Sequence, residues 1–363
     1  MKTKSVLFLL LLLCVVKGFA QPRKTKNVIL ISLDGYRWRE IFLGADSALL
    51  YNKRYTKDSA WTFQKYWAAT VQERREKLMP FTWSQIAKNG QLYGNRTLGN
   101  KVDLKNTFWF SYPGRSETWT GHFDPAINSN DKIDNPNENV MEFINKQKGF
   151  AGKTAAFASW DVVAWILNRN RNGITVNIWG EDVKGPKLTP QQKEANAYQH
   201  MMPDPWGQGE RLDVSTYRLS KAYLEAQHPR LFYIDFGDLD CYAHDGAYNK
   251  YLDAANKTDL MIKDLWEYLQ KDPFYKDQTT LIICADHGRG EDSKWTGHGT
   301  SAPHSNETYL LVMGPDTKPL GEVKTAGQIY QDQFAQTIAN LLGFQFTPKH
   351  PVGEAVKTVL NGH

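Results

Sequence analysis

Three apolar runs lie far apart in this 363-residue chain, and each leads into an acidic residue. Val28-Ile29-Leu30-Ile31 is followed by Asp34, and Leu231-Phe232-Tyr233-Ile234 by Asp240 and His244. Leu281-Ile282-Ile283-Cys284 runs into Asp286-His287, with His298 a short way on. Unbroken apolar runs of this length read as strands buried on both faces, the kind that build a parallel sheet. Parallel sheets gather their chemistry beyond the carboxyl ends of the strands. The pattern therefore predicts that these residues converge. Carboxylates and imidazoles gathered in one place predict a pair of divalent metal ions.

Helix-like segments alternate with the strand-like runs, which predicts an α/β fold: a largely parallel central sheet with helices on both faces. Strands are expected over residues 27–33, 154–158, 231–235, 279–284 and 309–313. Helices are expected over 162–168, 219–227 and 251–269, with a closing amphipathic helix over 328–342 stopped by Gly343. Two regions break this rhythm. Residues 51–97 are aromatic and basic, with a helix expected over 63–78, and residues 185–213 are polar and carry Pro186, Pro190, Pro203 and Pro205. Both are expected as cap insertions near the site, where loops carry specificity, with surface decoration the alternative for the second. In the first, Tyr51, Tyr55, Trp61, Phe63, Tyr66 and Trp67 would either stack on a substrate or form the core of a helical cap. Because the candidate ligands spread from Asp34 to His298, residues 21–363 are expected to form one catalytic domain.

Residues 1–20 read as a cleavable secretory signal: Lys2 and Lys4, an apolar stretch from Val6 to Val16, and Gly18-Phe19-Ala20 as the cleavage site. This predicts a secreted or periplasmic protein with no stable membrane anchor. These residues hold three lysines and no acid, so the formal charge of +5 falls to +2 without them. Such a surface carries no nucleic acid-binding signature. Only Cys241 and Cys284 then remain, too few for a disulfide framework, and both are expected as buried free thiols.

The candidate nucleophile is Ser111, in Ser111-Tyr112-Pro113-Gly114-Arg115, just before a helix expected from about Arg115 to Trp119. A serine at a helix entrance gains from the helix dipole, and a metal beside it would lower its hydroxyl pKa. Ser116 is the competing serine, read as a local cap or packing residue. Among the histidines, His298 lies between two glycines that let an imidazole approach an ion closely, whereas His304 follows a proline.

The ordered set Leu33-Asp34-Gly35, Ser111-x-Pro113 with Thr120-Gly121, Asp240-x-x-x-His244, Asp286-His287-Gly288 and Gly297-His298-Gly299 resembles the alkaline phosphatase superfamily. The nucleotide pyrophosphatase/phosphodiesterase and phosphopentomutase-like branches are the most similar. The resemblance spans residues 27–343 and implies a phosphoric ester hydrolase that acts on a small-molecule phosphate ester, monoester or diester. It implies Asp240, His244 and His298 on one ion, and Asp34, Asp286, His287 and the Ser111 oxygen on the other. It further implies a transition-state asparagine, Asn130 in preference to Asn128. Arg115, which departs from the diesterase pattern, is expected beside it as a second phosphoryl-binding group through its planar fork of donors. Imidazole ligands suit zinc, whereas oxygen-only sets suit calcium. Ser111-Tyr112-Pro113-Gly114-Arg115 also resembles the serine-type sulfatase signature. Asp286-His287 departs from the Asp-Asn of sulfatases, and a single Asp34 stands where they have two aspartates. A sulfatase, a phosphoryl or head-group transferase and a non-catalytic metal-binding protein are therefore the rival readings.

Overall fold

Residues 23–360 are described by a computed structural model, and the expected leader lies outside them. The strands are β1 (Asn27–Leu33), β2 (Gly90–Tyr93), β3 (Asn100–Asp103), β4 (Thr154–Ala158), β5 (Thr175–Asn177), β6 (Leu231–Phe236), β7 (Thr279–Cys284), β8 (Glu307–Thr308), β9 (Leu310–Met313), β10 (Gly321–Glu322) and β11 (Gly327–Tyr330). Eight of them form one sheet in the order β10-β2-β9-β7-β1-β6-β4-β5, and β11-β3-β8 form a small second sheet. In the large sheet only β9 runs against its neighbours.

Every residue of β1 is buried, and alternate residues serve opposite layers. Ile29, Ile31 and Leu33 pack with Leu219, Tyr223, Tyr248 and Leu252 from the helices Asp213–Gln227 and Tyr248–Leu269. Val28 and Leu30 share the other layer with Trp119, Val140, Ile144, Phe334 and Ile338 from the helices Ser111–Thr120, Val140–Asn145 and Phe334–Leu341. An apolar run with no polar alternation is what a strand covered by helices on both sides requires. The expected α/β architecture is the one observed.

The register brings the strand ends level. Ser32 pairs with Asp235 on one side and Cys284 on the other, and the Asp34 amide donates to the Phe236 carbonyl at 2.9 Å. Asp34, the helix Asp238–His244 and Asp286-His287 therefore leave the sheet at one edge.

Several element bounds depart from expectation. The helix expected over 63–78 is two, Ser59–Tyr66 and Val71–Leu78. Trp67 is extended, and Thr70 starts the second helix through a reciprocal capping box with Glu73. The supposed insertion 51–97 contains β2, a strand of the main sheet. Of its aromatic residues, Tyr55 and Tyr66 are core, and Tyr51, Phe63 and Trp67 pack on one another. The closing helix is shorter than expected, because Gly327–Tyr330 pairs with β3 before the chain turns at Gln331. Region 185–213 holds the helix Pro190–Gln199, and Asp213 already opens the next helix. Both cysteines are free, with Cys284 buried and Cys241 half-buried. No helix among the described residues is long and apolar enough to cross a membrane.

Candidate bimetal site

The helix carrying Ser111 starts at Ser111 itself, four residues earlier than expected. Pro113 sits in its first turn, where the missing N–H costs nothing because those donors have no intrahelical partner. Gly114 is required by contact. A Cβ there would fall 2.0 Å from the Asp286 carbonyl oxygen, so only glycine lets this helix lie against the end of β7. Gln331 clamps the junction, its side-chain amide donating to Thr118 Oγ1 at 2.6 Å and to the Gly114 carbonyl at 3.2 Å. Ser111 Oγ is thereby held 3.2 Å from His287 Nε2.

Two groups of ligand atoms surround that pair. Asp34, Asp286 and His287 each offer an atom within 4.8 Å of the others, and so do Asp240, His287 and His298. His287 is common to both. His244 completes the second group, its Nε2 lying 3.0 Å from Asp240 Oδ2 and 3.1 Å from His298 Nε2. His304 points elsewhere and pairs with Glu307 at 3.0 Å. Gly35 makes the crowding possible. Its φ of +56° is a left-handed turn, and a Cβ there would lie 2.7 Å from both Asp240 Oδ1 and Arg289 Nη1.

Arg115 has a different place from the phosphoryl-binding one expected of it. One helical turn beyond Ser111 and fully buried, its guanidinium pairs with Asp34 at 2.7 Å, with Asp235 at 2.9 Å and with Asp286. Arg289 likewise pairs with Asp240 and donates to the carbonyls of Trp295 and Thr296. Asn130 lies against the nucleophile's helix, its Oδ1 accepting from the Tyr112 amide at 2.9 Å. Ser116 accepts from Asn135 at 2.8 Å and takes the packing role.

Three site residues escape the sequence reading. Asp235 is signalled by its place inside an apolar strand, where a buried acid needs a partner. Arg289, two residues beyond His287, carries no comparable signal. Glu210 ends the polar insertion and is joined to Trp160 by a β-bridge; its carboxyl packs on the Cα of Gly237, just before the helix bearing Asp240. Burial and the carboxylates of Asp34, Asp213 and Asp235 push Glu210 well above the usual carboxylate range.

The electrostatics fit divalent cations. Four carboxylates, Asp34, Asp235, Asp240 and Asp286, face two guanidiniums, leaving two negative charges to be met by cations or protons. Burial raises Asp34, but the Arg115 charge and His287 outweigh it and hold the carboxyl below the usual range. Burial acts likewise on Asp240, which Arg289, His298 and His244 hold well below that range. Asp286 is pushed up to about 7 by burial, against the pull of Arg115. Burial would lower His287, yet Asp286 and Asp34 push it up to about 9, while burial and His287 push His298 down to about 3. Asp34 Oδ1 is buried with His287 Nε2 3.2 Å away, and the Nε2 atoms of the exposed His244 and the half-buried His298 lie 3.1 Å apart. Carboxylate and imidazole atoms brought this close are placed for a shared cation. Asp240, His244 and His298 are placed to hold one ion and Asp34, Asp286 and Ser111 another, with His287 between them.

Comparison with known proteins bears on the fold and on the metal chemistry. The sequence profile of the Metalloenzyme superfamily matches residues 211–345, the segment that holds every candidate ligand except Asp34 and Ser111. No curated protein matches the sequence. Among solved structures, wild-type alkaline phosphatase PafA superposes with a TM-score of 0.62 at 12% identity, over 94% of this chain and all of that one. The lipoteichoic acid synthase LtaP from Listeria monocytogenes gives 0.58 at 11% identity, over 93% of this chain and 76% of that one. A 2-O GAG sulfatase gives 0.58 at 13% identity, over 93% and 74%. The fold is alkaline phosphatase-like and shared with all three of these structures, as the ordered motifs implied.

Proposed function

We infer that this protein is a secreted or periplasmic hydrolase of small-molecule phosphate esters that works through a phosphoserine on Ser111 with two zinc ions. The observation that carries the reading is the placement of Ser111 Oγ, 3.2 Å from the one imidazole shared by both ligand groups. When bound, two divalent cations supply charge that stabilises the serine alkoxide and the departing oxygen of an in-line displacement.

The chain's own residues do the rest. Ser111 Oγ attacks phosphorus, the bond to the ester oxygen breaks, and a phosphoserine forms. Water then attacks the same phosphorus from the opposite side and returns Ser111 with release of phosphate. The backbone amide of Ser111 at the helix entrance and the side-chain amide of Asn130, whose Oδ1 accepts from Tyr112, are the donors we assign to the non-bridging oxygens. Arg115 holds Asp34 and Asp286 in place and leaves phosphate binding to those donors. The expected leader supports export, and the imidazoles support zinc over calcium.

A sulfate-ester reading has one observation behind it, the Ser111-x-Pro113-Gly114-Arg115 pattern. The imidazole-rich ligand set favours phosphate. Purified, zinc-loaded enzyme should be offered phosphate monoesters, phosphate diesters and sulfate esters side by side. Turnover of a phosphate ester with a trapped phosphoserine is the expected result. Turnover of sulfate esters alone would overturn the reading.

A further inference from the structure

Trp109, two residues before Ser111, adopts a φ of +58°, a left-handed conformation that a bulky side chain rarely takes. It is held there from three sides. Asn106 Oδ1 accepts from the Phe108 amide at 3.1 Å and the Trp109 amide at 3.0 Å. The Trp109 carbonyl accepts from the Gly299 amide at 2.9 Å, next to His298. Asn106 is itself fixed by the fully buried Glu117 on the nucleophile's own helix, which accepts from the Asn106 amide and side chain, both at 2.8 Å. Strain kept by so many contacts is a mark of functional segments.

The segment is built yet its ring is unused. Trp109 is half-buried, and among the described residues its side chain has no ring, cation or hydrogen-bond partner. Beside it in sequence, Phe108 lies 6.1 Å from Phe110 and 6.0 Å from Phe123, and all three rings are partly exposed. Trp109 is thus joined to the nucleophile by the chain and to the His298 loop by a hydrogen bond. In-line attack by Ser111 puts the departing oxygen on the far side of phosphorus, towards Asp240 and His298. The Trp109 carbonyl, bonded to the Gly299 amide, sets this residue beside the His298 loop on that side.

We propose that Trp109 forms the leaving-group subsite, and that the ester's leaving group carries a planar aromatic ring. A tryptophan face stacks on such a ring, whereas a short alkyl group leaves it wet. This rests on the phosphate-ester reading above and goes further by naming the substrate class.

The test is binding of three non-hydrolysable probes to the zinc-loaded protein by calorimetry: inorganic phosphate, methylphosphonate and phenylphosphonate. Wild type should bind phenylphosphonate at least tenfold more tightly than methylphosphonate. Trp109→Ala should remove that preference, Trp109→Phe should keep part of it, and inorganic phosphate should bind all three proteins alike. Trp109→Gly relieves the left-handed strain, so it should melt no lower than wild type while still losing the preference, which a merely structural tryptophan would not do. Equal affinity for the two phosphonates in wild type, or a preference that survives in Trp109→Ala and Trp109→Gly, overturns the subsite. Failure of all three probes to bind wild type would instead overturn the phosphate-ester reading, and the subsite with it.

Discussion

Ser111 and His287 stand 176 positions apart in sequence, yet Ser111 Oγ lies 3.2 Å from His287 Nε2. The contact joins the entrance of a helix to the end of a central strand, and both ligand groups pivot on it. It separates the nucleophile from the ligands in a way that can be tested.

Ser111→Ala deletes the attacking oxygen and leaves Asp34, Asp240, Asp286 and the three imidazoles in place. Turnover should fall by about 10⁴-fold or more, the scale seen when an enzyme loses its nucleophile. Zinc content by elemental analysis and the melting temperature should change little. A variant that still turns over phosphate esters at the wild-type rate would remove the covalent mechanism.

Asp286→Asn and Asp240→Asn should behave differently from that variant, losing metal together with activity. Each removes one carboxylate from a different ligand group. Equilibrium dialysis should show one weakened site per variant, and excess zinc should restore part of the activity.

Much of this site is legible in the amino-acid sequence, for a definite reason. Parallel strands buried on both faces are apolar nearly throughout, so acids that follow each run lie close to the edge of the sheet. Asp34, Asp240 and Asp286 stand out on that ground. Other features are hidden. Nothing in the spacing shows that Arg115, one turn beyond Ser111, faces three carboxylates, because which strand ends lie beneath that helix is set by strand order alone. Arg289 is invisible for the same reason. The segment 328–330 reads equally well as helix or strand, and pairing with β3 decides it. The break at Trp67–Thr70 is signalled by Thr70-x-x-Glu73, a capping pattern inside an otherwise helical stretch.

Arg115 gives a stability prediction. It is the buried counter-charge to Asp34, Asp235 and Asp286, so Arg115→Met strands three carboxylates in the interior. Breaking a buried ion pair by removing one partner costs about 3–5 kcal/mol. Urea unfolding of the metal-free variant should show a loss of that order, and added zinc should recover part of it. A loss under about 1 kcal/mol, the range of surface pairs, would mean the guanidinium is not the central counter-charge.

The metal-free protein should carry a pH signature. His287 is pushed from its ordinary 6.5 up to about 9. A histidine raised in the folded state adds stability that is complete below its unfolded pKa and is lost as pH rises through the folded one. Thermal stability without metal should therefore decline between pH 6.5 and 9, and His287→Gln should flatten that slope. Zinc needs the neutral imidazole, so binding near pH 8 should release about one proton. Calorimetry in two buffers of different ionisation enthalpy measures it, and proton uptake would contradict the assignment.

Gly114 tests whether close contact between helix and strand end sets the geometry of the site. A methyl group added there would fall 2.0 Å from the Asp286 carbonyl oxygen, a distance no packing adjustment absorbs without moving the backbone. Overpacking of this kind costs about 1–3 kcal/mol or more. Gly114→Ala should lower the melting temperature and, by lifting Ser111 away from His287, reduce kcat far more than it raises KM. Gly185→Ala is the control, because its added methyl group meets only a Leu188 side-chain carbon at 3.8 Å. Equal effects of the two substitutions would show that the helix–strand contact does not position the nucleophile.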